Sequence, residues 1–224
     1  NAGTVTVASG GVLDGAAYWQ TAGTTTNAGT LSMTSDLSVN GGSLSNTATL
    51  TAASGLVAAS GSLANSGTAL FSGSLTNAGG VSNTAGTLTV GTSLTNSGSI
   101  SLSGGLLGVT TTLSNTGTVT QTGGTLSAAT LSNLAAGTFN ANGGSIAAAT
   151  TNSGTFNVGG TTTDSGSFTN NTGATLAVSG TGSLSGLTSI SNAGTVTTAA
   201  GGTLSGASYA QTAGTTTNAG TLQA

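Results

Sequence analysis

The sequence predicts an all-β fold: a single-stranded parallel β-solenoid with about 19 residues per coil and about ten coils in a long repeat of 191 residues. Three observations predict it. Asparagine recurs before small residues and threonine at a near-constant spacing. Short segments alternate polar and apolar residues, as half-buried strands do. Glycine is frequent, at 40 of 224 residues, and together with threonine, serine and asparagine it disfavours helices.

The recurring asparagine sets the length of one coil. Its successive spacings are mostly 18 or 19 residues, with longer gaps of 21, 26 and 31. The longest gap contains Asn77 and Asn83, and we expect a degenerate coil there. Stacked asparagines can bond amide to amide, so they predict a structural ladder. The predicted ladder consists of Asn1, Asn27, Asn46, Asn65, Asn96, Asn115, Asn133, Asn152, Asn171, Asn192 and Asn218.

A short alternating segment follows most of these asparagines and predicts the first strand of each coil. "GTVTV", "GTLSM" and "GTFNV" are examples. A second short strand, centred on residues such as Leu44 or Leu94, precedes the next asparagine, and glycine pairs mark a corner between the two strands. The first strand supplies a predicted inward-facing core ladder: Val5, Leu31, Leu50, Leu88, Ile100, Val119, Phe139, Phe156, Leu176 and Val196.

The two ends of the chain repeat each other. Residues 1–33 and 192–224 agree at 25 of 33 positions, and "QTAGTTTNAGTL" is identical at 20–31 and 211–222. The offset of 191 residues is about ten coils of 19. We therefore expect residues 1–224 to form one continuous solenoid segment, in which 1–191 is one long repeat and 192–224 begins the next.

Charge is almost absent from the sequence. There is no lysine, arginine, histidine or glutamate, and the acidic residues are Asp14, Asp36 and Asp164. Equivalent residues of a solenoid stack about 4.8 Å apart, so repeated charges would repel one another along the rod. Without cations the chain is unsuited to nucleic acids or anionic membrane surfaces. No apolar run is long enough for a transmembrane helix.

Few side chains could support catalysis. The sequence has no histidine or cysteine. Asp36 and Asp164 are several coils apart in the predicted rod, and a pair formed by Asp14 and Asp36 alone is a weak catalytic signal. Catalysis requires a base, an activated nucleophile or a metal cluster. We therefore expect a protein that is not an enzyme, with no catalytic residue, no metal ligand and no cofactor.

Two segments resemble a known family. "GAAYWQTAGTTTNAGTLSM" at 15–33 and "GASYAQTAGTTTNAGTLQA" at 206–224 resemble the autotransporter-associated β-strand repeat. The spacing of 19 residues is also similar to the repeats of filamentous-haemagglutinin-like adhesins. This resemblance implies a right-handed β-helix displayed outside a Gram-negative cell by a type V secretion system. It implies no catalytic residues.

These features together predict a non-enzymatic structural component of an extracellular fibre or adhesin stalk on the bacterial cell surface. Its partner would be itself, through adjacent repeats or identical chains stacked end to end.

Two alternatives stay open. The first is an adhesin that binds cells or host and surface glycans through an exposed aromatic contact at Tyr18, Trp19 and Tyr209; a simpler role for these side chains is to fill a wider coil. The second is an ice-binding protein with an outward threonine array on one face. Its pairs would be Thr4/Thr6, Thr49/Thr51, Thr87/Thr89, Thr118/Thr120 and Thr195/Thr197.

Overall fold

The computed structural model describes residues 1–224, and it confirms the predicted fold class. The chain contains no helix and winds through about twelve turns of a parallel β-solenoid, with strands stacked about 19 residues apart. All 30 strands belong to one sheet that wraps around the rod.

The strands are short and evenly distributed. The first ten are β1 (Thr4–Val7), β2 (Val12–Gly15), β3 (Tyr18–Gln20), β4 (Thr24–Asn27), β5 (Thr30–Met33), β6 (Asp36–Asn46), β7 (Thr49–Ala52), β8 (Ser54–Asn65), β9 (Thr68–Phe71) and β10 (Leu75–Asn77). The next ten are β11 (Gly80–Asn83), β12 (Thr87–Val90), β13 (Leu94–Asn96), β14 (Ser99–Leu102), β15 (Leu106–Asn115), β16 (Thr118–Gln121), β17 (Thr125–Asn133), β18 (Thr138–Ala141), β19 (Gly144–Asn152) and β20 (Thr155–Val158). The last ten are β21 (Thr161–Asp164), β22 (Ser167–Asn170), β23 (Thr175–Val178), β24 (Ser183–Leu187), β25 (Ser189–Asn192), β26 (Thr195–Thr198), β27 (Thr203–Gly206), β28 (Tyr209–Gln211), β29 (Thr215–Asn218) and β30 (Thr221–Gln223).

Each turn has three strands, so the prediction of two strands per coil is wrong. In one turn β11, β12 and β13 follow in order, and β14 then stacks on β11 with Gly80 opposite Ser99. Several strands are only three residues long, and β6, β8, β15, β17 and β19 run through a corner and contribute to two faces. Strands of three or four residues contain too few alternating positions for each strand to be recognised separately in the sequence.

The three strands of each turn build three flat faces. Face A contains β1, β4, the second halves of β6 and β8, and β11, β14, β16, β18, β20, β23, β26 and β29. Face B contains β2, β5, β7, β9, β12, the first halves of β15, β17 and β19, and β21, β24, β27 and β30. Face C contains β3, the first halves of β6 and β8, β10, β13, the second halves of β15, β17 and β19, and β22, β25 and β28. We call the corner after face A the A/B corner and the corner after face C the C/A corner.

One apolar core of 39 residues fills the space between the faces along the rod. The predicted core residues all point inward, but they form two ladders because they lie on two faces. Leu31, Leu50 and Leu88 belong to face B. Val5, partly exposed at the first coil, and the remaining members belong to face A.

Aromatic rings reinforce the core near its middle. The Phe139 and Phe156 rings of face A stack with centroids 4.7 Å apart and nearly parallel planes. Phe168 of face C meets Phe156 edge-on at 5.0 Å. These rings pack coil against coil, so their burial stabilises the stack of turns.

Candidate functional site

Buried asparagines form the most regular polar feature of the rod, and they occupy two corners. At the A/B corner, Asn27, Asn46, Asn65 and Asn83 stand on successive coils. Each Nδ2 donates to the Oδ1 of the next asparagine at 2.7 Å. All four side chains are buried.

The second and longer ladder lies at the C/A corner. Its buried members are Asn77, Asn96, Asn115, Asn133, Asn152, Asn170 and Asn192. Six amide-to-amide bonds of 2.6–2.8 Å connect them in order. The two ladders overlap along the chain only where Asn77 and Asn83 follow one another.

The ladder amides satisfy backbone groups as well as each other. Asn115 Nδ2, for example, also approaches the carbonyl oxygens of Gly117 at 3.1 Å and Thr138 at 3.2 Å. A buried amide needs such partners, because an unpaired polar group in the interior costs free energy. The ladders therefore connect the A/B and C/A corners of each coil to the next coil by hydrogen bonds.

The structure changes the predicted ladder in three places. The position assigned to Asn171 is occupied by Asn170, because β22 ends there in register with Asn152; Asn171 instead bonds to Ser153. Asn1 and Asn218 are exposed on the first and last coils and bond no other asparagine.

The 31-residue gap contains no degenerate coil. It arises because the asparagine ladder moves from one corner to the other, with Asn83 at the last rung of the A/B ladder and Asn77 at the first rung of the C/A ladder. Strand pairing continues through this region, from β8 to β11 and from β10 to β13.

In the duplicated segment the asparagine ladder changes corners in the opposite direction, from the C/A corner to the A/B corner. Asn192 of the C/A ladder bonds to Gln211 Oε1 at 3.2 Å, and no asparagine follows at that corner. Gln20 holds the matching position in the first copy, and seven residues later Asn27 begins the A/B ladder. Asn218 stands where Asn27 does.

A small hydrogen-bond network supports each glutamine. Thr25 Oγ1 donates to Gln20 Oε1 at 2.5 Å and also bonds to the Tyr18 hydroxyl at 2.6 Å. The second copy repeats these contacts among Gln211, Thr216 and Tyr209. Sequence reasoning did not single out the glutamines and threonines, although their identity in both copies was a usable signal.

Of the three predicted aromatic contacts, only Trp19 is exposed. Tyr18 and Tyr209 are half-buried against the core, with their hydroxyls engaged in the networks above, so they are not an exposed contact surface. Trp19 is 58% exposed on face C. Next to it Ser38 is only 8% exposed, because it lies between Trp19 and the outward Leu56.

The predicted threonine pairs do not share one face. Thr4/Thr6, Thr118/Thr120 and Thr195/Thr197 lie on face A, whereas Thr49/Thr51 and Thr87/Thr89 lie on face B. The single array expected for ice binding is therefore wrong. Strands on both faces alternate polar and apolar residues in the same way, so the sequence pattern cannot separate them.

The three aspartates do not form a metal-binding cluster. Asp14 and Asp36 are exposed, and Asp36 accepts a hydrogen bond from Ser54. Asp164 is fully buried, and burial raises its pKa to about 6 against the opposing effects of the Gly166 amide and the Thr150 hydroxyl. No group of three or more His, Cys, Asp or Glu side chains is placed to hold a metal ion.

The surface has two open depressions and no deep cleft. The larger, of about 350 Å³, is lined by residues of the last two turns, including Leu187, Gly206 and Gln223. The smaller, of about 250 Å³, lies over Gly108 between Thr89 and Ser127. No ionisable side chain lines either depression.

The structure contains no helix that is long and apolar enough to cross a membrane.

The fold and the corners define the chain as a three-sided, nearly uncharged parallel β-solenoid. No protein family, no curated protein and no solved structure matches it.

Proposed function

We propose that the chain is a segment of a non-enzymatic structural fibre or adhesin stalk on the outside of a bacterial cell, extended by stacking further copies of the same coils. One observation carries this proposal. The duplicated segment returns after ten turns to the same faces, with β28, β29 and β30 in the positions of β3, β4 and β5. The 191-residue offset is thus a whole number of turns.

A whole number of turns is what tandem extension needs. A repeat that ended between faces would rotate each new copy and interrupt the core and the ladders. Here each copy begins at the corner where the previous one began, so core and strand pairing continue from copy to copy. In such an array stability grows as a sum over neighbouring turns. The resemblance of residues 15–33 and 206–224 to autotransporter-associated repeats supports the extracellular location.

A concatemer tests this proposal directly. A chain with residues 1–191 duplicated ahead of 192–224 should form a rod longer by ten rises of about 4.8 Å, or about 48 Å. Small-angle scattering measures the length, and thermal unfolding measures stability, which should not fall. A matched control inserts seven additional residues at the junction. Seven residues are about a third of a turn, so each strand of the second copy would begin on a different face from its counterpart in the first copy. Equal length gain and stability for both chains would overturn the proposal.

We propose glycan binding as a second function of the same stalk, because of Trp19. A flat indole can stack on the apolar face of a sugar ring, and the exposed Asp36 on face C can accept hydrogen bonds from hydroxyls. No side chain of the patch is cationic, which favours neutral sugars over anionic ones. Trp19 is replaced by Ala210 in the second copy, so this site would belong to the first copy alone.

Binding to an array of neutral glycans tests this second function. Trp19→Ala should reduce binding at least tenfold, whereas Leu70→Ala, which removes an exposed side chain from face B, should leave it unchanged. Absence of binding by the unmodified chain, or equal loss in both variants, would exclude Trp19 as a glycan contact and leave the structural role intact.

A further inference from the structure

Asparagine is followed by glycine at two places, Asn40–Gly41 and Asn142–Gly143, and in both the next residue is also glycine. No ladder asparagine precedes a glycine. This sequence favours a spontaneous reaction. The glycine amide nitrogen attacks the asparagine Cγ, the new C–N bond closes a five-membered succinimide, and ammonia leaves with the proton of that nitrogen. Water then opens the ring to aspartate or isoaspartate. No oxidant or reductant is required.

The two identical Asn-Gly-Gly tripeptides have different surroundings in the fold. Asn142 is exposed at the A/B corner between β18 and β19, and its side chain makes no hydrogen bond. The Gly143 amide nitrogen, which would be the nucleophile, donates no hydrogen bond within the molecule. Gly143 and Gly144 have no side chains to hinder the rotation that brings this nitrogen to Cγ.

Asn40 is also exposed, and it lies at the C/A corner, where β6 passes from face C to face A and its register with β8 shifts. It lies inside β6, where Val39 before it and Gly41 after it are both paired with β8, opposite Val57 and Ser60. Ring closure there would require Gly41 to leave its pairing with Ser60. Gly143 lies outside the strands, so the reaction at Asn142 breaks no strand pairing, whereas the reaction at Asn40 needs local opening of the sheet.

We propose that Asn142–Gly143 is a site of spontaneous modification in the folded rod, which converts Asn142 to aspartate or isoaspartate with water as the co-reactant. The product places a carboxylate at the A/B corner of a chain that has only three others. The isoaspartate form also adds a backbone methylene between β18, which pairs with β16 and β20, and β19, whose first half pairs with β17 and β21.

Peptide mapping by mass spectrometry after incubation of the chain in mildly alkaline H₂¹⁸O tests the proposal. Product that carries ¹⁸O should accumulate at residue 142 at least tenfold faster than at residue 40, and the ladder asparagines should stay intact. In strong denaturant the two Asn-Gly-Gly sites should react at similar rates, because the fold no longer distinguishes them.

Gly143→Ala supplies the matched variant, since an added methyl group hinders ring closure without changing the asparagine; a Cβ there would lie 2.7 Å from the Thr122 carbonyl oxygen, so circular dichroism has to show that the variant keeps its β structure. It should slow modification at residue 142 and leave residue 40 unaffected. Similar rates at the two sites in the folded chain, or faster reaction at Asn40, would overturn the proposal. So would an unreactive Asn142 in folded chain whose denatured form reacts at both sites.

Discussion

Asp164 stands in the interior of a chain that contains no lysine, arginine or histidine to pair with it. Its partners are neutral: the Gly166 amide at 2.9 Å and the Thr150 hydroxyl at 3.4 Å. Nearby on the same strand, the buried Thr162 hydroxyl has no partner at all. This group of polar side chains lies beside the apolar core, and below a pH of about 6 the carboxyl avoids the cost of a buried charge by holding its proton.

Asp164 should make the stability of the rod depend on pH. Its pKa of about 6 in the folded chain lies above the ordinary value of 3.8, so folding favours the protonated form. We expect the free energy of unfolding to be greatest below pH 3.8 and to fall as the pH rises through 6, by roughly 3 kcal/mol in total. Asp164→Asn should remove this decline and raise stability at neutral pH, as measured by urea unfolding across pH. The exposed Asp36→Asn serves as control, and persistence of the full decline in Asp164→Asn would contradict the assignment.

Asn115 lies in the middle of the longer ladder and bonds both neighbours, Asn96 and Asn133. Asn115→Ala removes both bonds and leaves buried amide and carbonyl groups unpaired. We expect a loss of about 3 kcal/mol or more in the free energy of unfolding. Asn40→Ala, at an exposed position without side-chain hydrogen bonds, should change stability little. Equal urea midpoints for the two variants would mean that the ladder contributes nothing.

At the level of elements, the sequence predicted the strands better than it predicted their arrangement around the rod. Alternation identifies which side of a strand is buried, and this holds for Leu50 and Val119 alike. It cannot tell face A from face B, because both faces pack against the same core. The asparagine spacing has the same limit: it measures one turn at either corner, and only the gaps of 26 and 31 residues record a change of corner.

The corners depend on how closely successive coils approach. Gly105 has a φ of +65°, and a Cβ there would collide with the Gly86 carbonyl oxygen of the preceding coil. Gly173 has a similar φ of +81°, but a Cβ there would meet no atom within 4 Å. Comparing substitutions at these two glycines therefore distinguishes the free-energy cost of the backbone conformation from the free-energy cost of a collision between coils.

Alanine substitutions at these two corners should differ in effect. Gly173→Ala should lose about 1–2 kcal/mol, the cost of a side chain in the left-handed region. Gly105→Ala should lose more than that, because the preceding coil also has to move. Thermal unfolding of both variants measures the difference. If Gly173→Ala were the more damaging, close stacking would not be what fixes the corners.

At the level of the whole molecule, stability comes from apolar burial, strand pairing and neutral side-chain bonds. The side chains include no cation, so the rod has no side-chain ion pair. Salt screens charge interactions. We therefore expect the urea midpoint to be nearly the same at low and moderate sodium chloride concentrations.

A charged variant provides the control for this expectation. Thr118 and Thr138 occupy adjacent rungs of face A. Glutamates at both positions would stand about 4.8 Å apart and repel each other. Thr118→Glu combined with Thr138→Glu should be destabilised at low salt and recover as salt is added. A strong salt dependence in the unmodified chain would contradict the view that charge interactions contribute little to its stability.

The asparagine ladders also give the rod a direction. In all nine amide-to-amide bonds of the two ladders the donor belongs to the earlier coil and the acceptor to the later one, and only the Asn157-to-Asn140 bond on face A runs the other way. The side-chain dipoles of the ladders therefore point the same way along the axis, and aligned hydrogen bonds polarise one another. Two such rods lying side by side should have lower electrostatic energy when they run in opposite directions, so we expect neighbouring rods to prefer an antiparallel arrangement.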